Sequence, residues 1–187
     1  MRGDREDPRV PILGPAAGGD ALMSYYNGEP IRHGPVELCS PALPGYPDAR
    51  ERADVELSDW YERAAADDTL LYFAVALSAD DSPIGEVMLH DIDREAAQAR
   101  LHVHIFRSES RDLGHGEHAL RAAVEYAFRQ QKLRELSLNV NEVNFAARRC
   151  YAKCGFQVVD RLEEDDSQLV MSLQRDEWRR LVEEEEW

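Results

Sequence analysis

Arg100-Leu101-His102-Val103-His104-Ile105-Phe106, followed by Arg111-Asp112-Leu113-Gly114-His115-Gly116, is the stretch whose reading decides the fold. The first part has the length and residue types of a strand. The second is a glycine-bearing turn. It opens directly onto residues 116–131, where Leu120, Ala123, Val124, Ala127 and Phe128 recur at the i, i+3, i+4, i+7, i+8 spacing of an amphipathic helix. Strand, tight turn and helix N-terminus together form an anion-binding arrangement. Successive backbone N–H groups converge there, and the helix dipole adds positive potential. The loop ends without the Gly-Lys-Ser/Thr of a P-loop and lacks the third glycine of the dinucleotide fingerprint. Asp112 and Glu117 place carboxylates beside it, which weaken an anion's binding unless they turn outward.

Downstream, Leu133–Val140 reads as a strand and Asn144–Lys153 as a helix, with Gly155 as its C-cap. Phe156–Arg161 and Gln168–Gln174 read as two strands joined by the acidic turn Glu163–Ser167, and Arg175–Glu186 as a terminal helix whose acidic end frays. Upstream, Thr69–Leu77, Ile84–Asp91 and Arg100–Phe106 form an antiparallel meander. Ser58–Asp67 reads as a helix capped by Ser58, Ala21–Tyr26 as one or two helical turns, and Arg9–Leu13 as a short edge strand. Residues 27–50 contain Pro30, Pro35, Pro41, Pro44 and Pro47, a density that no helix survives, so a long irregular segment or lid is expected. The expected organisation is a disordered tail over 1–8, one domain over 9–175 with the variable Pro-rich segment 27–50, and an acidic helix over 176–187.

The chain has 187 residues, 43% hydrophobic and 32% charged, which is the composition of a soluble globular domain. No run of about 18 apolar residues exists, and the N-terminus lacks an apolar signal segment, so no membrane span or secretory signal is expected. Three cysteines cannot pair evenly, which points to a reducing compartment, here the cytoplasm. The net charge is −15, which disfavours nucleic acid and anionic membranes and favours a cationic partner. Of 22 basic residues only Lys132 and Lys153 are lysine, a bias that suggests a GC-rich bacterial genome.

One strand after the first helix comes Asn144-Phe145-Ala146-Ala147-Arg148-Arg149-Cys150-Tyr151-Ala152-Lys153-Cys154-Gly155-Phe156, which reads N-x-x-A-x-x-x-Y-x-x-x-G-F. With this second motif in the right order after Arg111–Gly116, the sequence resembles the GNAT superfamily of N-acetyltransferases. Within it, Glu117-His118-Ala119-Leu120 and the Asn144/Ala147 pair look closest to the branch that acetylates ribosomal-protein N-termini. The resemblance is strong over residues 99–160 and nearly absent over 1–57. It implies an α/β fold: a mixed, mostly antiparallel sheet flanked by helices on both faces, with a splay between two parallel central strands. It implies acetyl-CoA as cosubstrate, its pyrophosphate on the N–H groups of Leu113 to Gly116 and its pantetheine between strands 100–106 and 133–140. The implied cofactor-binding residues are Ile105 and Phe106 at the strand end, Arg111, Asp112, Leu113, Gly114, His115 and Gly116 in the loop, and Asn144, Ala147 and Tyr151 on the second helix. Family members use a tyrosine at the Tyr151 position to protonate the leaving thiolate.

This branch usually carries a glutamate near the position of Arg100, so the general base is sought elsewhere, among His102, His104 and Glu86. Period two puts both histidines on one strand face, and an imidazole of ordinary pKa about 6.5 suits proton removal from an ammonium. His104 lies nearer the expected splay, so His104 is favoured, with Glu86 as the alternative. His102, His104, His115 and His118 lack supporting zinc-ligand spacing, and no metal is expected. Cys150 and Cys154 stand at i, i+4 on one helix and read as core or half-buried thiols. Tyr25, Tyr26, Trp60 and Tyr61 are aromatics of the half from which family members build the acceptor pocket. The expected activity is acetyl transfer to a primary amine, a small cationic amine or a peptide N-terminus, by a monomer or homodimer. The alternative is a domain of this type that binds acyl-CoA without catalysis.

Overall fold

The computed structural model describes Tyr26, residues 28–41, residues 69–184 and Trp187. The expected tail over 1–8, the strand at Arg9–Leu13, the turns at Ala21–Tyr26 apart from Tyr26, and the helix at Ser58–Asp67 lie outside these residues. The described chain runs β1 (Ile31–His33), β2 (Val36–Cys39), β3 (Leu71–Leu77), β4 (Pro83–Asp93), β5 (Gln98–Ile105), a 3₁₀ turn (Ser108–Ser110), α1 (His115–Arg129), β6 (Glu135–Asn141), α2 (Phe145–Lys153), β7 (Gln157–Leu162), β8 (Asp165–Gln174) and α3 (Arg175–Glu183). The strands form one sheet in the order β1-β2-β3-β4-β5-β6-β8-β7.

Within the Pro-rich segment the structure corrects the expectation of an irregular segment. Residues 31–39 form a β-hairpin, pairing Ile31 with Leu38 and His33 with Val36 across Gly34-Pro35. Pro30 precedes the hairpin and Pro35 sits in its turn, where no ladder N–H is needed. The meander is as expected, with β4 three residues longer than the sequence suggests. The acidic turn shrinks to Glu163-Glu164, because β8 begins at Asp165, whose partner is Leu162.

Every neighbouring pair is antiparallel except β5 and β6. That pair is parallel and short: Gln98, Ala99 and Arg100 face Glu135, Leu136 and Ser137. Beyond Arg100, β5 stays paired with β4 as far as Ile105 and β6 stays paired with β8 as far as Asn141, but not with each other. The two strands therefore splay.

One face of the sheet carries Leu38, Phe73, Val87, Leu101, Leu136, Leu138 and Leu173, all under 5% exposed. α1 lies on it through Leu120, Ala123, Val124, Ala127 and Phe128, the stripe read from the sequence. The alanines let the helix approach closely. Tyr126 meets Phe73 edge-on at 5.3 Å, and Tyr26 stacks on Phe73 at 4.9 Å, which makes Tyr26 a core residue. α3 joins the same core through Trp178, 5.4 Å from Phe128. Its first turn is closed by Glu177, whose carboxylate accepts the Gln174 N–H at 3.4 Å. The opposite sheet face, with Tyr72, Ala74, Glu86 and Met88, is also buried. Among the described residues no helix is long and apolar enough to cross a membrane.

Gly155 ends α2 at φ +85°, and a Cβ there would lie 2.5 Å from Leu181 Cδ1 and 3.2 Å from Leu173 Cδ1. Left-handed backbone and overpacking add, so Gly155→Ala should cost roughly 2–4 kcal/mol. Urea unfolding should show a lower midpoint at an unchanged slope; an unmoved midpoint would refute this account of the α2–α3 junction.

Candidate active site at the strand splay

The splay opens into a cleft of about 660 Å³ on the helix side of the sheet. Val103 and Ile105 of β5 form one wall and Ala146, Ala147, Cys150 and Tyr151 of α2 the other. The α2 residues are a stripe at i, i+1, i+4, i+5, and its two alanines leave the space. The loop between β5 and α1 closes one end.

That loop is shaped by Gly114, at φ +83°, where a Cβ would meet nothing within 4 Å. Gly114 is the N-cap of α1, and no side chain caps the helix. The first intrahelical bond runs from the His118 N–H to the Gly114 carbonyl. The N–H groups of His115, Gly116 and Glu117 therefore come before it, as the orphan donors of any helix start do. Arg111 turns back on the strand end, donating from Nε to the Ile105 carbonyl at 2.9 Å and from Nη2 to that of Phe106 at 3.3 Å. It fixes the corner at which β5 becomes the loop.

The carboxylate of Glu117 is neutralised. It accepts from Arg121 at 3.1 Å and from Lys153 at 3.3 Å. Burial alone would raise its pKa, but these two cations outweigh burial and hold it below the usual range. On α2, the Asn144 side chain caps the helix by accepting the Ala147 N–H at 3.1 Å.

The cleft brings together Ile105, Arg111, Asp112, Gly114, Gly116, Asn144, Ala147 and Tyr151 of the residues singled out from the sequence. Three others lie off its wall. Phe106 packs 6.3 Å from the His104 ring, Leu113 is exposed, and the His115 ring faces the Ser110 carbonyl at 3.1 Å. Val103, Ser110, Ala146, Arg149, Cys150 and Lys153 also line the cleft and were not singled out as site residues from the sequence. Ala146 precedes Ala147 and Cys150 precedes Tyr151, four residues apart on one helical face, so both follow once the helix is taken to face a ligand. His118 lies against His33, with the two Nδ1 atoms 3.0 Å apart.

Burial pushes the Tyr151 phenol up to about 12, and Cys150 and Cys154 beside it act in the same direction. The two thiols interact with each other. The hydrogen bond from Cys154 lowers the Cys150 pKa against its burial, whereas the same bond, followed by burial, raises that of Cys154.

Glu86 and His104 are cross-strand partners on the other face of the sheet. Glu86 is 1% exposed and accepts the Tyr72 hydroxyl at 2.5 Å. Its Oε1 lies 3.5 Å from His104 Nδ1. His102 is two residues earlier on the same face, its ring 6.4 Å from that of His104. Burial lowers its pKa to about 4; Glu86 opposes the shift while His104 and His90 add to it.

The sequence profile of the acetyltransferase (GNAT) domain matches residues 33–157, more than half of the chain. The chain belongs to the GNAT acetyltransferase family. No curated protein sequence matches it significantly. Among solved structures it is similar to the spermidine N-acetyltransferase of Vibrio cholerae in complex with CoA and spermine, at 25% identity and a TM-score of 0.58, over 66% of this chain and 76% of that one. A dodecameric structure of the Vibrio cholerae enzyme matches at 25% identity and a TM-score of 0.56, over 66% and 75%. A chimera of that enzyme with hSSAT aligns over 77% of this chain and 98% of its own, with a TM-score of 0.61 and 20% identity, which bears on the fold alone. The short parallel pair, the splay and the mostly antiparallel sheet are those of the GNAT fold.

The thiols give this geometry a direct check. Cys150 lines the open cleft with a lowered pKa, Cys39 is buried with its pKa raised to about 11, and Cys154 is buried with its pKa raised. Reactivity follows the thiolate and its access. Iodoacetamide at neutral pH should therefore modify Cys150 well before the other two, as read by peptide mass mapping. Equal rates would contradict this placement of α2.

Proposed function

We propose that this GNAT protein transfers an acetyl group from acetyl-CoA to a primary amine on a cationic acceptor, with a polyamine as the favoured class. The observation that carries the reading is the splay itself. It joins a cleft with an uncapped helix start on one side of the sheet to the Glu86–His104 pair on the other. The residues fit the donor. The N–H groups at the start of α1 and the open space over Gly114 suit a pyrophosphate. The stretch of β5 beyond Arg100, where it has parted from β6, suits a peptide-like pantetheine arm. Acetyl-CoA supplies a thioester, electrophilic at its carbonyl carbon.

The chain's residues then divide the proton work. His104 takes a proton from the acceptor ammonium at Nε2, since His102, with a pKa near 4, is too weak a base near neutrality. Tyr151 stays protonated at neutral pH and donates toward the leaving sulfur. The desolvation that raises the phenol also raises the basicity of a thiolate beside it, which keeps donor and acceptor matched.

The polyamine preference is supported by the net charge of −15 and by two neighbours at 25% identity that are spermidine N-acetyltransferases. The motif resemblance to the ribosomal-protein branch makes a peptide N-terminus the competing acceptor. A panel of spermidine, spermine, simple diamines and basic peptides, assayed for CoA release, tests the reading. Turnover of the polyamines above the peptides is expected; turnover of none refutes it. Gly114→Val should weaken acetyl-CoA binding at least about tenfold by calorimetry, and saturating acetyl-CoA should protect Cys150 from alkylation in the wild type. Unchanged affinity in a folded variant would remove this loop from the donor site. Tyr151→Phe should keep acetyl-CoA affinity and lose roughly 10²–10⁴ in kcat. Near-normal turnover would assign the proton to another donor.

A further inference from the structure

We propose that Glu86 and Tyr72 are positioning residues that hold His104 in the tautomer with its proton on Nδ1, so that Nε2 carries the free lone pair. The inference rests on the acetyl-transfer reading with His104 as proton acceptor, and it assigns a different role to the buried carboxylate, which could otherwise be the base itself.

Three strands supply the three groups. Tyr72 on β3, Glu86 on β4 and His104 on β5 share the buried face. The register pairs Glu86 directly with His104, and Tyr72 with Met88, one diagonal step away. The two carboxylate oxygens have separate duties. Oε2 accepts the Tyr72 hydroxyl at 2.5 Å, and Oε1 faces His104 Nδ1 at 3.5 Å. That second separation is an ion-pair distance, longer than a hydrogen bond, as is common before a substrate is bound. His104 Nδ1 is buried and has no hydrogen-bond partner. The acceptor it faces is the carboxylate, which can only accept, so the proton belongs on Nδ1.

Exposure orders the two groups. The His104 side chain is 26% exposed and that of Glu86 is 2% exposed. An acceptor amine therefore reaches the imidazole before the carboxylate. In the step that follows, the ammonium gives its proton to Nε2, Nδ1 keeps its own, and the imidazolium is stabilised by the Glu86 charge. No bond to Glu86 forms or breaks. The other titratable group on β5 beside His104 is His102, with a pKa near 4 and therefore neutral in the working range, so it adds no competing charge.

The arrangement makes one substitution diagnostic. In Glu86→Gln the Tyr72 hydroxyl still donates, and it selects the amide oxygen. The amide NH₂ is then left facing Nδ1, which must accept, and His104 is driven to carry its proton on Nε2. Adding Tyr72→Phe removes that selection and lets the amide turn its oxygen to the imidazole. ¹⁵N NMR of the imidazoles and the pH profile of kcat/KM, measured on the full chain with acetyl-CoA and spermidine, read both effects. The wild type should show the Nδ1–H tautomer for His104. Glu86→Gln should show Nε2–H and lose roughly 10²–10⁴ in kcat/KM, and its acidic limb should move to lower pH because a charge favouring the protonated ring is gone. Tyr72→Phe/Glu86→Gln should regain the Nδ1–H signal and at least about tenfold in rate, a rescue that a structural role for Tyr72 would not give. An Nε2–H wild type, or a Glu86→Gln protein with the wild-type tautomer, overturns the proposal. So does full activity in His104→Gln with none in Glu86→Gln, which would make the carboxylate the base. Failure of the parent reading looks different: the expected tautomers with no amine turned over refutes acetyl transfer while upholding the positioning geometry.

Discussion

The rest of the site depends on how little of β5 and β6 is paired. Only Gln98–Arg100 and Glu135–Ser137 face each other, and the pair is parallel in a sheet that is otherwise antiparallel. A parallel neighbour requires a crossover, and α1 is that crossover. Its N-terminus must therefore lie beyond the carboxyl end of β5, where the strands have parted. In open sheets with such a connection the ligand crevice lies outside the carboxyl ends of the strands. Cleft, orphan N–H groups and splay occupy one place because a single topological step puts them there. The parting also takes residues 101–105 of β5 out of the β6 ladder while they stay paired with β4.

On the proposed reading the sheet also separates donor from acceptor. Period two along β5 sends Val103 and Ile105 into the cleft and His102 and His104 to the opposite face. A donor molecule and an acceptor can then approach one gap from two sides without competing for space. The division has a cost. A carboxylate as buried as Glu86 is unfavourable unless hydrogen-bonded, and Tyr72 supplies that bond. In the proposed positioning, Tyr72 acts on His104 through Glu86.

The sequence made the second half of the chain legible because its signals are local. The α1 stripe, the Asn144 cap and Gly155 past α2 each follow from spacing within one element. Glycines 114 and 116 and Tyr151 could be placed once two motifs appeared in order. What was not legible depends on register. Tyr72 stands in an apolar run, and nothing in Leu71–Leu77 distinguishes its hydroxyl from a core aromatic's. Its role appears only when β3 aligns on β4 and brings it beside Glu86. The hairpin of β1 and β2 was hidden for a different reason. Prolines argue against a helix, but Pro30 and Pro35 sit at strand boundaries, where they do no harm. The motif implies a ligand-binding residue at Arg111, whereas its guanidinium locks the strand end, a role set by carbonyl positions that spacing does not reveal.

Electrostatics connects the two faces. A protein of net charge −15 attracts cations, and a donor carrying phosphates must approach it against that field. The cleft meets this locally. Glu117, in the first turn of α1, is matched by Arg121 and Lys153, and Arg149 and Lys153 line the same cleft. The orphan N–H groups of α1 add positive potential without adding a mobile charge. Removing Lys153 would therefore act twice, subtracting a cation from the cleft and leaving the Glu117 carboxylate less compensated beside an anion. On the proposed reading the acidic balance of the chain serves a cationic acceptor, so one chain would hold an anion in the cleft while a cation approaches from the opposite face of the same sheet.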